Sequence, residues 1–219
     1  MEFFESLQEI LFPSRCISCG ALGLSICSRC RRGWNPHIYI SKCGNLPSNH
    51  ITVTSSVIYS TVAQKVILGA KESHFKSCDE LVSQAITHAL ENLLRKDQVD
   101  FLVPIPSRKS AARQRGRQFI AEVSQAASTR HSIPLVSPLV HARKVRDQSG
   151  LHLQERWNNL EGAFVVEKEH GLHGNVVLID DLVTTGATLN EAARALRYAG
   201  IEVIGAVTAA VALTTKIHR

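Results

Sequence analysis

Aromatic residues are scarce in this chain, with seven Phe, three Tyr and two Trp among 219 residues. Few of them fall in its basic segments, so the sequence offers no evident platform on which nucleobases could stack. No stretch approaches the ~18–20 continuous apolar residues of a membrane-spanning helix. The first ten residues carry Glu2 and Glu5 and no long apolar core, which argues against a secretory signal and for a cytoplasmic protein. Phe3, Phe4, Leu7, Ile10 and Leu11 recur there at helical spacing, as in a short helix packed on its own protein. Internal repeats and low-complexity tracts are missing. The main apolar run is not followed by Gly-Lys-Ser/Thr, and the spaced glycines of a dinucleotide fingerprint are absent, which sets aside both common glycine-rich nucleotide sites.

What is present is soluble and basic: 44% hydrophobic and 20% charged residues with a net charge of +6. That balance favours anionic partners, either phosphorylated small molecules or nucleic acid. The length suits one sizeable domain plus a small appendage. Residues 1–50 hold most of the cysteines, several Pro and Gly residues and little periodicity, and read as a small module; residues 51–219 read as the main domain. Four cysteines, Cys16, Cys19, Cys27 and Cys30, follow the spacing C-x2-C-x7-C-x2-C. Two such knuckles can close a tetrahedral zinc site with no open position, so the metal expected here is a structural Zn2+. Redox or disulfide pairs are the alternative, and nothing marks the chain as secreted. Cys43 and Cys78 stand apart as ordinary thiols.

The main domain alternates strand and helix patterns. Residues 51–59 are β-branched and alternating, and 59–70 look helical. Residues 79–96 place Leu81, Val82, Ala85, Ile86, Ala89, Leu90, Leu93 and Leu94 on one face, with Asp79 as a candidate cap and Arg95 and Lys96 at the far end. Residues 99–106 are a short apolar run ended by prolines. A helix at 118–128, a short strand at 133–136 and a final strand or pair of strands over 202–213 complete an α/β domain built on a parallel sheet flanked by helices.

The most informative segment is the run from Val176 to Thr188. Val176 to Ile179 are apolar on both faces, as in a central parallel strand. Asp180 and Asp181 follow at the strand's carboxyl edge, where ligands of such sheets bind. Adjacent carboxylates repel unless hydroxyl donors or a hard cation hold them. Thr184, Thr185, Gly186, Ala187 and Thr188 are small and rich in hydroxyls, so backbone N–H groups can close around a phosphate at the start of the next helix, near Leu189. Two basic segments flank this strand in sequence: Arg108, Lys109, Arg113, Arg115 and Arg117, and then Arg143, Lys144, Arg146 and Arg156. The first directly follows an apolar strand, which puts its charges at the same edge as Asp180.

The 176–188 segment resembles the signature for 5-phosphoribosyl-1-pyrophosphate (PRPP) of the type I phosphoribosyltransferases. Together with Val103-Pro-Ile-Pro106, Arg115-Gly116, Arg143, Arg146, Gln148, Leu153, Glu155-Arg156, Asn158-Asn159, Gly162-Ala-Phe164, the cysteine knuckles and Lys71 in Leu68-Gly-Ala-Lys71, it is similar to the ComF/GntX family. That resemblance implies a type I phosphoribosyltransferase-like fold. It implies that Asp180 and Asp181 hold the ribose hydroxyls, and that the loop of Leu182, Val183, Thr184, Thr185, Gly186, Ala187 and Thr188 takes the 5-phosphate. Lys71, Arg108, Lys109, Arg113 and Arg115 are further candidates for binding PRPP, the last four at its pyrophosphate. Mg2+ is expected with PRPP. Arg143, Lys144 and Arg146 lie in a segment with the look of a mobile flap and join Asp180 and Asp181 as catalytic candidates. Purine-salvage members carry Asp where this chain has Thr184, which disfavours purine transfer; orotate-type members carry Thr. The family link points to DNA uptake in natural transformation. A non-catalytic PRPP-sensing module that binds single-stranded DNA or a DNA-processing protein is the alternative.

Overall fold

Val176 to Ile179 lie in the interior of a nine-residue strand, fully buried as an all-apolar run requires. The computed structural model describes residues 14–44, 50–142, 160–167, 171–212 and 217–218. Among these, the strands are β1 (Tyr39–Cys43), β2 (Ile51–Ile58), β3 (Phe101–Pro104), β4 (Leu139–His141), β5 (Phe164–Val166), β6 (Asn175–Val183), β7 (Glu202–Val211) and β8 (Ile217–His218). The helices are α1 (Ser28–Trp34), α2 (Thr61–Ser73), α3 (Lys76–Leu94), α4 (Lys109–Arg115), α5 (Phe119–His131) and α6 (Ala187–Tyr198).

The main sheet runs in the order β3-β6-β7-β2-β1-β8. β3, β6, β7 and β2 are parallel to their neighbours, while β1 pairs antiparallel with β2 and with β8. The expected α/β architecture is present, and β1 adds a strand that the low periodicity of residues 1–50 did not announce. Because alternate strand residues face opposite ways, the sheet separates two cores. Val177, Ile179 and Val207 pack with α2, α3, α5 and Trp34 of α1. Val53, Val103, Val176 and Leu178 pack with α6 and with Leu139 and Phe164 of the β4–β5 pair. Each fully buried aliphatic side chain contributes about 1.5–3 kcal/mol.

Local chemistry sets the helix ends. Ser60 accepts the Ala63 N–H at 3.2 Å to start α2, and left-handed His74 ends it. α3 begins at Lys76, before the expected cap. Asp79 lies in its first turn and is gripped by both terminal nitrogens of Arg117 at 2.7 and 2.8 Å, so it serves as an ion-pair partner and not as a cap. The strand expected at 133–136 is reduced to one bridge between Leu102 and Leu135. Pro134 there accepts from Leu102 but has no N–H with which to extend a ladder. The basic segment after β3 forms the short helix α4. Glu191 of α6 faces the Phe164 N–H at 3.5 Å, and Arg194 donates to the Phe164 carbonyl at 3.3 Å, which fastens β5 to α6.

Candidate functional site

β6 keeps pairing with β7 as far as Val183, so Asp180 and Asp181 sit within the last turns of the pleat and not beyond it. They therefore point to opposite faces of the sheet. Asp181 is buried and turns toward α2, where Lys71 Nζ lies 2.7 Å from its Oδ2. Asp180 is half-buried and its Oδ1 accepts the Asp181 N–H at 2.9 Å. The two carboxyls are driven apart in acidity. Burial and then the charge of Asp181 push Asp180 well above the ordinary carboxylate range, against the pull of Lys71. Burial also raises Asp181, but the charge and hydrogen bond of Lys71 outweigh it and hold Asp181 below its usual value. Burial lowers Lys71, and the two aspartates more than restore it, so the ammonium is held above its usual value. Asp181 is therefore the stronger acid of the pair and Asp180 the weaker.

Tyr59 is a member of this group that the sequence reading passed over. It follows β2 directly, its N–H donates to Val211 O at 2.9 Å, and burial followed by the charge of Asp181 raises its phenol while Lys71 opposes. Its position one residue past a strand parallel to β7, and so at the same sheet edge, was the available signal.

Leu182 and Val183 close β6 and pack into the two cores. Thr184, Thr185 and Gly186 then turn the chain into α6, whose first residues are Ala187 and Thr188. Thr185 Oγ1 accepts the Ala187 N–H at 3.3 Å. Gly186 has φ +77°, and a Cβ there would overlap Cβ and Sγ of Cys43 at the end of β1. Only glycine meets both demands. The helix amino end, with its partial positive charge, thus opens beside the two carboxylates.

The basic candidates divide. Arg115 is near enough to oppose the charge on Lys71, and its Nε lies 3.1 Å from Glu72. Arg108 and Lys109 lie close enough to His141 for their charges to act on it. Burial first, and then their charges, lower the His141 pKa. His141 Nε2 donates to Pro106 O at 3.2 Å, beside a cavity of about 220 Å³ that Ser107, Lys109, Gln118 and Ser137 help to line. Arg113 is exposed on α4. Arg117 packs over the Phe119 ring, 5.0 Å from its centroid, and donates to Ala70 O at 3.1 Å. It braces helices and does not face the carboxylates. Arg143, Lys144 and Arg146 lie outside the described residues.

The four cysteines form a second site. One sulfur from each of Cys16, Cys19, Cys27 and Cys30 lies within 4.8 Å of all the others, with Cys19 and Cys27 at 3.6 Å. A zinc tetrathiolate with 2.3 Å bonds needs sulfurs about 3.8 Å apart, so the set fits a tetrahedral soft-ligand ion. Burial raises the Cys16 thiol, but N–H groups of Cys27, Cys19 and Ser18 bring it down to about 6. A ready thiolate is what a metal knuckle requires. No helix among the described residues is long and apolar enough to cross a membrane.

Residues 77–218 match the phosphoribosyl transferase domain. Competence protein F of Haemophilus influenzae is 27% identical over 217 residues, covering 88% of this chain and 95% of that protein. A solved adenine phosphoribosyltransferase covers 84% of this chain and 89% of its own at 14% identity and a TM-score of 0.45. The adenine phosphoribosyltransferase of Trypanosoma brucei covers 79% and 87% at 11% identity and a TM-score of 0.44.

Proposed function

The chain belongs to the phosphoribosyl transferase domain family, and on that premise we propose that it binds PRPP and transfers its phosphoribosyl group. One observation carries the reading: an adjacent carboxylate pair, one member clamped by Lys71 at 2.7 Å, lies immediately before a small-residue loop that opens a helix. Asp180 and Asp181 hold the ribose hydroxyls, and the 182–188 loop receives the 5-phosphate at the amino end of α6. Transfer forms a bond from the acceptor to the anomeric carbon and breaks that carbon's bond to the diphosphate, which leaves with the electron pair. Positive charge grows on the ribose ring meanwhile. The carboxylates stabilise it, while Arg115 and the α4 charges favour the departing anion. Mg2+, for which the oxygen ligands of Asp180 and Asp181 are suited, supplies charge neutralisation of the diphosphate when bound. Arg143, Lys144 and Arg146 are the further catalytic candidates in this reading. The four cysteines hold a structural zinc.

A second reading is favoured by the charge distribution. No Asp or Glu occurs between Glu9 and Glu72, whereas Arg15, Arg29, Arg31 and Arg32 are exposed on the cysteine module. With the similarity to competence protein F, that face suits single-stranded DNA or a DNA-processing protein, with PRPP as a sensed ligand and DNA uptake as the setting.

Calorimetry with PRPP and Mg2+ tests the first reading: wild type binds, and Asp180→Asn/Asp181→Asn does not. Absence of binding by wild type overturns it. Pyrophosphate release across a panel of acceptors separates transfer from sensing. DNA affinity that falls with salt, and with a smaller slope in Arg29→Ala/Arg31→Ala/Arg32→Ala, supports the second. Metal analysis finds zinc in wild type and none in Cys16→Ser/Cys27→Ser.

A further inference from the structure

Among the described residues, helix α2 touches both the cysteine module and the carboxylate site. At its first turn, Val62 lies against Gly33 of α1, where a Cβ would stand 3.1 Å from Val62 Cγ2. In its last turn, Gly69 leaves a socket occupied by Ile17. A Cβ at Gly69 would overlap the terminal methyl of Ile17 and stand 3.2 Å from Cys78 Sγ. Ile17 is itself held within the knuckle: its N–H donates to Ser25 O at 2.9 Å, and its neighbour Cys16 donates to Ala21 O at 2.8 Å. Lys71 comes two residues after Gly69, which at 3.6 residues per turn is roughly the opposite side of the helix. One face of this turn therefore rests on the cysteine module while the other presents the ammonium to Asp181.

The contact is sensitive to axial position. Sliding α2 by one residue's rise, about 1.5 Å, would change the 2.7 Å ion pair by up to about that amount. Arg117 holds the neighbouring Ala70 carbonyl, but it reaches α2 from the turn between α4 and α5 and does not involve the module.

We propose that Ile17 is a positioning residue for the carboxylate site: seated at Gly69, it fixes the register of α2, so that the cysteine module sets how Lys71 meets Asp181 and hence the affinity for PRPP. The statement about affinity rests on the proposed binding of PRPP. The statement about Lys71 does not.

Two measurements on the full chain test it, using Ile17→Ala, which empties the socket, and Gly69→Ala, which displaces Ile17 from it. Leu22→Ala, an exposed position in the same knuckle, is the control. In the ligand-free protein, competitive acetylation read by mass spectrometry compares Lys71 with exposed Lys65 on the same helix. The Lys71:Lys65 labelling ratio should rise severalfold in both variants with zinc content retained, and stay at the wild-type value in Leu22→Ala. PRPP affinity should weaken by about tenfold in both, a typical size for coupling through packed elements. In a Lys71→Met background the same changes should cause no further loss. An unchanged labelling ratio in both variants overturns the proposal whether or not PRPP binds. Affinity losses that persist undiminished without Lys71 overturn it too. Failure of wild type to bind PRPP defeats the proposed function alone, and labelling then decides the positioning role.

Discussion

Replacing Lys71 by Met removes the ammonium and leaves a carboxylate whose side chain is only 7% exposed, against 26% for the lysine. Fully exposed pairs contribute below ~1 kcal/mol, while stripping one partner from a fully buried pair costs ~3–5 kcal/mol. This pair lies between, so Lys71→Met should cost about 2 kcal/mol at neutral pH, or about 6 °C in Tm for a chain of this size. The pH dependence follows from the directions of the shifts. Asp181 is held below its usual value, so its contribution is present above the unfolded carboxylate pKa of ~3.9 and is lost as pH falls through the lower native value. Lys71 is held above its usual value, so its contribution is present below ~10.4 and is lost as pH rises through the higher native value. The penalty in Lys71→Met is thus greatest near neutrality and shrinks in acid, where Asp181 takes up a proton. Urea denaturation of Lys71→Met, Asp181→Asn and the double variant at neutral pH and near pH 4 checks it. The double variant should be more stable at neutral pH than Lys71→Met. Strictly additive losses, equal at both pH values, would refute the assignment of Lys71 and Asp181 as a coupled pair.

Asp180→Asn should move stability and binding in opposite directions. The native carboxyl of Asp180 is raised, so the unfolded state ionises first and stability falls as pH climbs from ~4 toward the raised value. Thermal melts should show the Asn variant gaining about 1 kcal/mol at neutral pH. That gain should vanish below pH 4, and calorimetry should show weakened PRPP binding. Gly186→Ala combines a left-handed backbone with overlap against Cys43 and should cost about 3 kcal/mol, with loss of PRPP binding, as read by thermal melting and calorimetry.

Much of this was written in the sequence. The apolar run 176–179, the paired aspartates and the small loop carry strand, site and helix start in adjacent residues, because each is a local requirement. Cys16, Cys19, Cys27 and Cys30 were legible for the same reason. The partnership of Lys71 with Asp181 was not, since it joins the last turn of one helix to a strand more than a hundred residues away, and only the resemblance pointed to Lys71. Tyr59 was hidden because its place depends on which strands β2 lies between. β1 escaped because its Ser41 and Lys42 interrupt the apolar pattern, and its pairing with β2 makes up for that. Asp79 looked like a cap until Arg117 claimed it, and the basic residues 108–117 look equivalent in sequence although the fold turns them toward different neighbours.

The order β3-β6-β7-β2-β1-β8 also has a consequence for how the chain is made. β2 is synthesised early, yet its parallel partner is β7, and the buried hydroxyls that join them, Ser55 and Thr208, are 153 residues apart. At ribosomal speeds of ~5–20 residues per second, Val53 and Val57 wait roughly 8–30 s for that partner. During that interval a β-branched strand carrying Ile51, Val53 and Val57 on one face has only β1 paired with it. Replacing Cys16 and Cys27 by Ser should be most damaging at this stage, before any ligand site exists, and should appear first as poor yield of soluble protein.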